Sequence, residues 1–201
     1  MNFLAHIYLS GDNELIAIGN FMADSIKGKH YKKYPDELQV GIRLHREIDT
    51  FTDAHPTVRL STKRLHENYS HYSGVIVDIL YDHFLAKNWS HYSPIPLAIY
   101  VDDFYETLKT HAEFLPPRAQ KMVPYMIAGN WLLNYAKIEG IQNVLIGMNR
   151  RTNNISGMDK ATDELKEFYH EFEAEFTSFF EELRVFSEEK LATLKQMYAL
   201  E

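Results

Sequence analysis

Two stretches of this 201-residue chain place acids and imidazoles at helical spacing: His45-Arg46-Glu47-Ile48-Asp49 and Asp78-Ile79-Leu80-Tyr81-Asp82-His83. Residues four apart on an α-helix sit on one face, one turn above the other. His45 with Asp49, and Asp78 with Asp82, are therefore each able to aim at one point. Apolar residues surround both groups, Ile42, Leu44, Ile48 and Phe51 around the first and Val75, Ile79, Leu80, Phe84 and Leu85 around the second. Carboxylates in such company need a counter-charge, and a metal ion held between helices of a bundle supplies one. The chain has no cysteine, so a metal would rest on His, Asp, Glu or Asn, a set suited to manganese, magnesium, iron or zinc. The competing interpretation is that each pair is an ordinary hydrogen bond on a helix surface, and spacing alone does not choose.

Other groups are less marked. His6, between Ala5 and Ile7, reads by itself as a satisfied or exposed histidine more readily than as a ligand. Asp24, inside Phe21-Met22-Ala23-Asp24-Ser25-Ile26, fits a turn cap and a carboxylate facing a polar cavity equally well. Arg43 and Arg46 flank the first group and are suited either to pair with its carboxylates or to grip a phosphate through two parallel hydrogen bonds. Asp53 and the pair Asp102-Asp103 read as solvated acids.

The elements that must position these groups are helical. Apolar residues at helical spacing predict a helix over about 12–27, and Pro35-Asp36-Glu37 opens another that ends before His55-Pro56. Further helices are expected over about 56–68, 73–88, 97–113, 117–136 and 138–149. A last amphipathic region over 160–199 carries Phe168, Phe172, Phe176 and Phe179, an aromatic stripe that reads as core packing. The expected architecture is one all-α domain over residues 1–201, with 160–201 a C-terminal helical segment packed on the core.

Composition narrows the function classes. There is no run of about 18 apolar residues, no glycine-rich phosphate loop, no Gly-x-Ser-x-Gly elbow and no βαβ alternation. Membrane span, dinucleotide binding and serine nucleophile chemistry are thus disfavoured, and a cytoplasmic location is the default expectation. Net charge is −7, and residues 161–201 hold all of it, with four Lys/Arg against eleven Asp/Glu. This balance disfavours nucleic acid as a partner. The cluster Lys27, Lys29, Lys32 and Lys33 reads as a solvated loop when taken alone.

A set of ordered blocks carries a family resemblance. Met1-Asn2-Phe3-Leu4-Ala5-His6, Gly19-Asn20-Phe21-Met22-Ala23-Asp24, Gly41-Ile42-Arg43-Leu44-His45-Arg46-Glu47-Ile48-Asp49 with Thr52-Asp53, Asp78 through Leu85 with Trp89, and Ile141-Gln142-Asn143-Val144-Leu145 with Gly147-Met148 together resemble the acyl carrier protein phosphodiesterase family. The resemblance runs in order over nearly the whole chain.

It implies an all-α, HD-domain-like helical bundle and a divergent relative of the HD-type metal-dependent phosphohydrolases. It also implies hydrolysis of the phosphodiester joining 4′-phosphopantetheine to a serine of holo acyl carrier protein. The implied cofactor is a divalent metal, manganese above all, with magnesium or iron as substitutes. On this resemblance the candidate metal ligands are His6, His45, Asp49, Asp82 and His83. Asp24 and Asp78 are candidates to accept the water proton or orient a ligand, and Arg46 to stabilise phosphoryl charge. The doublet Asp82-His83 runs opposite to the usual His-Asp order. A basic surface of Lys27, Lys29, Lys32, Lys33, Arg59, Lys63 and Arg64 is expected to receive the acidic carrier protein. The rival expectations are an HD-type hydrolase acting on another phosphodiester or a nucleotide, and a non-catalytic helical scaffold.

Overall fold

The structure is a computed structural model and describes residues 1–200. Among the described residues the chain is all-α, without a strand. Its helices are α1 (Phe3–Tyr8), α2 (Glu14–Met22), α3 (Asp36–Ala54), α4 (Pro56–Tyr69), α5 (Ser73–Lys87), α6 (Leu97–Thr110), α7 (Pro117–Ala128), α8 (Trp131–Asn134), α9 (Ile138–Arg151), α10 (Thr162–Glu167) and α11 (Tyr169–Met197). None of them is long and apolar enough to cross a membrane.

Helix ends follow local chemistry. The Asn13 side chain caps α2 by accepting from the Ile16 amide at 3.0 Å. Acids Asp36 and Glu37 fill the first turn of α3, where the helix dipole favours negative charge. Pro56 occupies the first turn of α4, where its missing N–H is not needed.

Three expected helices come out differently. The helix expected over 12–27 ends at Met22 and passes into a 3₁₀ turn at Ala23–Ser25. The one expected over 117–136 is split into α7 and α8, because Asn130 adopts a left-handed conformation with φ 43°. The C-terminal region is likewise two helices, parted at Phe168, whose ψ of 33° is not helical. The short α1 was not anticipated: six residues carry too little periodicity to register.

Two glycines fix the crossing that matters for the site. A Cβ on Gly41 would lie 2.1 Å from the Ile16 carbonyl oxygen, and one on Gly19 would lie 2.4 Å from that of Leu38. The backbones of α2 and α3 are therefore nearly in contact, and the residues that follow Gly19 run alongside His45.

On the other side, α11 packs against α3, α4 and α5. Phe172, Phe176, Phe179 and Phe180 are fully buried there, each worth roughly 1.5–3 kcal/mol of burial. The aromatic stripe is core. α1 rests on α2 and α5, and α9 packs on α5 and α8, leaving a cavity between these elements and α3.

Candidate metal centre

Three side chains from two helices converge beside that cavity, and two of them, His45 and Asp49, line it. His6 comes from α1, and His45 and Asp49 from successive turns of α3. Both imidazoles are buried and stack, with ring centroids 4.0 Å apart and planes inclined by 19°. Asp49 reaches both, its Oδ1 lying 3.2 Å from His6 Nε2 and its Oδ2 3.1 Å from His45 Nε2. One ligand atom from each of the three lies within 4.8 Å of the others.

Backbone contacts orient the rings. His45 Nδ1 donates to the Asn20 carbonyl at 2.9 Å, which turns Nε2 toward the carboxylates; a metal-binding histidine is commonly held this way. His6 Nε2 also lies 3.1 Å from the Met1 carbonyl oxygen, while its Nδ1 is buried with no partner. Asp24, in the 3₁₀ turn after α2, brings Oδ1 to 3.2 Å from His45 Nε2. Its side chain is 69% exposed, so it meets solvent while the rings do not.

The electrostatics separate the two rings. His6 is driven down to about 4 by burial and by the neighbouring His45. His45 rises to about 9: burial opposes its charge, but hydrogen bonds to Asp24 and Asp49 outweigh it. Asp49 is held well below the usual carboxylate range, because the two histidines overcome its desolvation. The hydrogen bond from His45 does the same, more mildly, for Asp24. Without a metal the site therefore holds one imidazolium between two carboxylates, beside a neutral imidazole. Two imidazoles and a carboxylate form a donor set that fits a divalent manganese, iron or zinc ion.

The remaining candidates are distributed differently from the expectation. Asp78 lines the same cavity and accepts from the amino group of Met1 at 2.9 Å. That amino group is buried; burial disfavours its charge, but Asp78, Asp49 and Asp82 outweigh this and raise its pKa. Asp82, one turn along, does not face the imidazoles. Its oxygens accept the Leu4 amide at 2.7 Å and the Ala5 amide at 3.2 Å, so it caps buried first-turn N–H groups of α1 that have no partner within the helix. Burial raises it to about 7.

His83 faces away as well. Its Nδ1 donates to the Tyr135 carbonyl at 2.8 Å and its Nε2 meets the Tyr169 hydroxyl at 2.9 Å. An adjacent position on a helix is turned by about 100°, which is why the doublet divides. Arg46 does not line the cavity. Its Nη2 donates to the carbonyls of Ile26 at 3.0 Å and Gly28 at 2.9 Å and its guanidinium lies over Tyr31, so it clamps the loop after Asp24.

The cavity measures about 550 Å³. Sequence reasoning missed most of its far wall, which is formed by Trp131, Asn134, Tyr135 and the face of α9 that carries Asn143, Val144 and Gly147. The signal was present in the α9 block, whose positions 140, 143, 144, 147, 148 and 151 repeat at helical spacing.

Fold and site together define an all-α protein with a candidate His–His–Asp metal centre beside a cavity. A family model described as acyl carrier protein phosphodiesterase matches residues 1–183, and the chain belongs to that family. It is 31% identical over 181 residues to an acyl carrier protein phosphodiesterase of Photorhabdus laumondii subsp. laumondii, covering 90% of this chain and 91% of the relative. A Pectobacterium atrosepticum protein of the same name is also 31% identical, over 90% of this chain and 94% of its own. One from Yersinia pestis is 29% identical over the same shares, 90% and 94%. No solved structure matches the chain.

Proposed function

We propose that this protein hydrolyses the phosphodiester between 4′-phosphopantetheine and a serine of holo acyl carrier protein, releasing the apo protein. The observation that carries the reading is the convergence of His6, His45 and Asp49 on one point, with His45 and Asp49 lining a cavity, in a chain of this family. His6 Nε2, His45 Nε2 and the Asp49 carboxylate would hold a divalent ion, manganese in the first instance. Such an ion, when bound, acidifies water and neutralises charge on phosphoryl oxygens.

The chain's own groups supply the rest. Asp24, ionised and open to the cavity, accepts the proton of the attacking water. Asn20 keeps His45 in register through its carbonyl. Asp78 holds the first residues of the chain against the site through Met1, and the carbonyl of Met1 in turn contacts His6. Attack on phosphorus breaks its bond to the serine oxygen, which leaves with a proton from solvent. The phosphate stays on the pantetheine. His83, Asp82 and Arg46 have no direct role in this scheme. Its link to HD-type hydrolases rests on the His/Asp donor chemistry and not on the Asp82-His83 doublet.

The carrier protein would dock beside Asp24. The loop that follows carries Lys27, Lys29, Lys32 and Lys33, all exposed, and Arg46 fixes its path. Arg64, from the same expected surface, is engaged in a two-point pair with Glu175 at 2.8 and 2.7 Å and is not counted in it. The deciding experiment is incubation of holo carrier protein with this protein and manganese. A mass loss equal to the phosphopantetheine arm is expected, with none after chelation; an unchanged carrier mass in the presence of metal overturns the reading.

A further inference from the structure

α9 contains two glycines on its cavity face, and they differ. A Cβ on Gly140 would fall 1.9 Å from the Asn134 carbonyl oxygen, so close packing against α8 requires glycine there. A Cβ on Gly147 would meet nothing within 4 Å. Gly147 lies inside α9 with an ordinary helical backbone, where glycine weakens a helix relative to alanine. Neither packing nor backbone conformation calls for it. What it borders is the cavity, together with Asn143 and Val144 on the same face and Val75 and Ile79 of α5.

The cavity, at about 550 Å³, has the dimensions of a small-molecule site, more room than a metal ion and a phosphoryl group fill. Val75, Ile79, Val144 and Trp131 give its lining apolar surface and Asn134 and Asn143 give it amide side chains, with Arg118 and Arg151 also on its wall. That is the complement of a chain that carries methyl groups and amides, and it is continuous with Asp24, His45 and Asp49.

We propose that the bare α9 wall at Gly147 is the channel for the pantetheine arm, and that Gly147 is a specificity-determining residue. The inference rests on the proposed reaction, in which the phosphate at the metal centre has such an arm attached. A side chain at position 147 would project into the channel without touching the metal centre or the core.

The test compares Gly147→Leu and Gly147→Gln with the wild type and with Gly74→Leu. Gly74 is a second helical glycine open to 4 Å but does not line the cavity. Thermal melting and manganese stoichiometry should be unchanged or improved in all three variants, since each gains helix propensity. Both Gly147 variants should lose roughly 10–100-fold in kcat/KM on holo carrier protein, the scale of a steric change in a pocket. They should bind 4′-phosphopantetheine more weakly by a similar factor while inorganic phosphate binds as before. Gly74→Leu should behave as wild type. If the wild type cleaves holo carrier protein and a folded Gly147 variant cleaves it equally well, the channel assignment falls and the reaction stands. If the wild type with manganese does not cleave it, the proposed reaction itself falls.

Discussion

His6 and His45 stack face to face, 4.0 Å between ring centroids, yet they titrate in opposite directions, His6 to about 4 and His45 to about 9. Asp24 and Asp49 both reach His45, whereas His6 has Asp49 and a backbone carbonyl. One stacked ring therefore takes the proton, while burial and then that ring's charge keep the other neutral.

Metal uptake should accordingly expel protons from His45 and none from His6. At pH 7 about one proton per ion is expected, and apparent affinity should climb with pH until His45 is neutral near 9. Calorimetry in two buffers of different ionisation enthalpy measures the number directly.

The same shift governs the metal-free fold. A histidine whose folded value of about 9 exceeds the 6.5 of a free side chain adds stability that is complete below 6.5 and is lost as pH rises through about 9. The metal-free melting temperature should fall across that window. In Asp49→Asn the fall should shrink, because that carboxylate helps hold the proton, and a melt series from pH 6 to 9.5 reads both.

Asp82 should act through α1. Asp82→Ala leaves the Leu4 and Ala5 amides without their acceptor and should cost about 1–3 kcal/mol, while Asp82→Asn keeps one acceptor and should cost less. Because α1 carries His6, manganese affinity should drop with the helix in Asp82→Ala. His83→Gln should leave metal stoichiometry at the wild-type value, since both ring nitrogens are engaged elsewhere. Denaturant melts with manganese titrations check both.

At the α2–α3 crossing, Gly41→Ala should damage fold and site together. The added Cβ meets backbone at 2.1 Å, overpacking that costs on the order of 1–3 kcal/mol. It also pushes the Asn20 carbonyl and Asp24 away from His45, so metal affinity should fall further than the melt alone accounts for.

Reversing the charge of Lys32 and Lys33 together should raise KM for holo carrier protein several-fold and leave kcat close to wild type. The effect should fade with added salt, as expected of charge steering. Arg46→Ala should shift KM in the same direction by releasing the loop from Arg46. Steady-state kinetics at two ionic strengths separate this from damage to the site.

The sequence by itself determined the all-α class, the span of α3, α4, α5 and α9 to within a few residues, and the pairing of His45 with Asp49. Each of these is local: helical periodicity and the i,i+4 relation come from backbone geometry that every helix shares. The tertiary structure decided which of the remaining acids and imidazoles belong together. Asp78 and Asp82 have the same spacing as His45 and Asp49, yet one faces the cavity and the other lies beneath the amides of α1. His83 follows Asp82 and points toward Tyr135 and Tyr169. His6 and Asp24 reach His45 only because Gly19 and Gly41 let two helices touch and because α1 settles on α2 and α5. Spacing along a helix sets which groups share a face; the packing of that face against its neighbours sets what the groups meet.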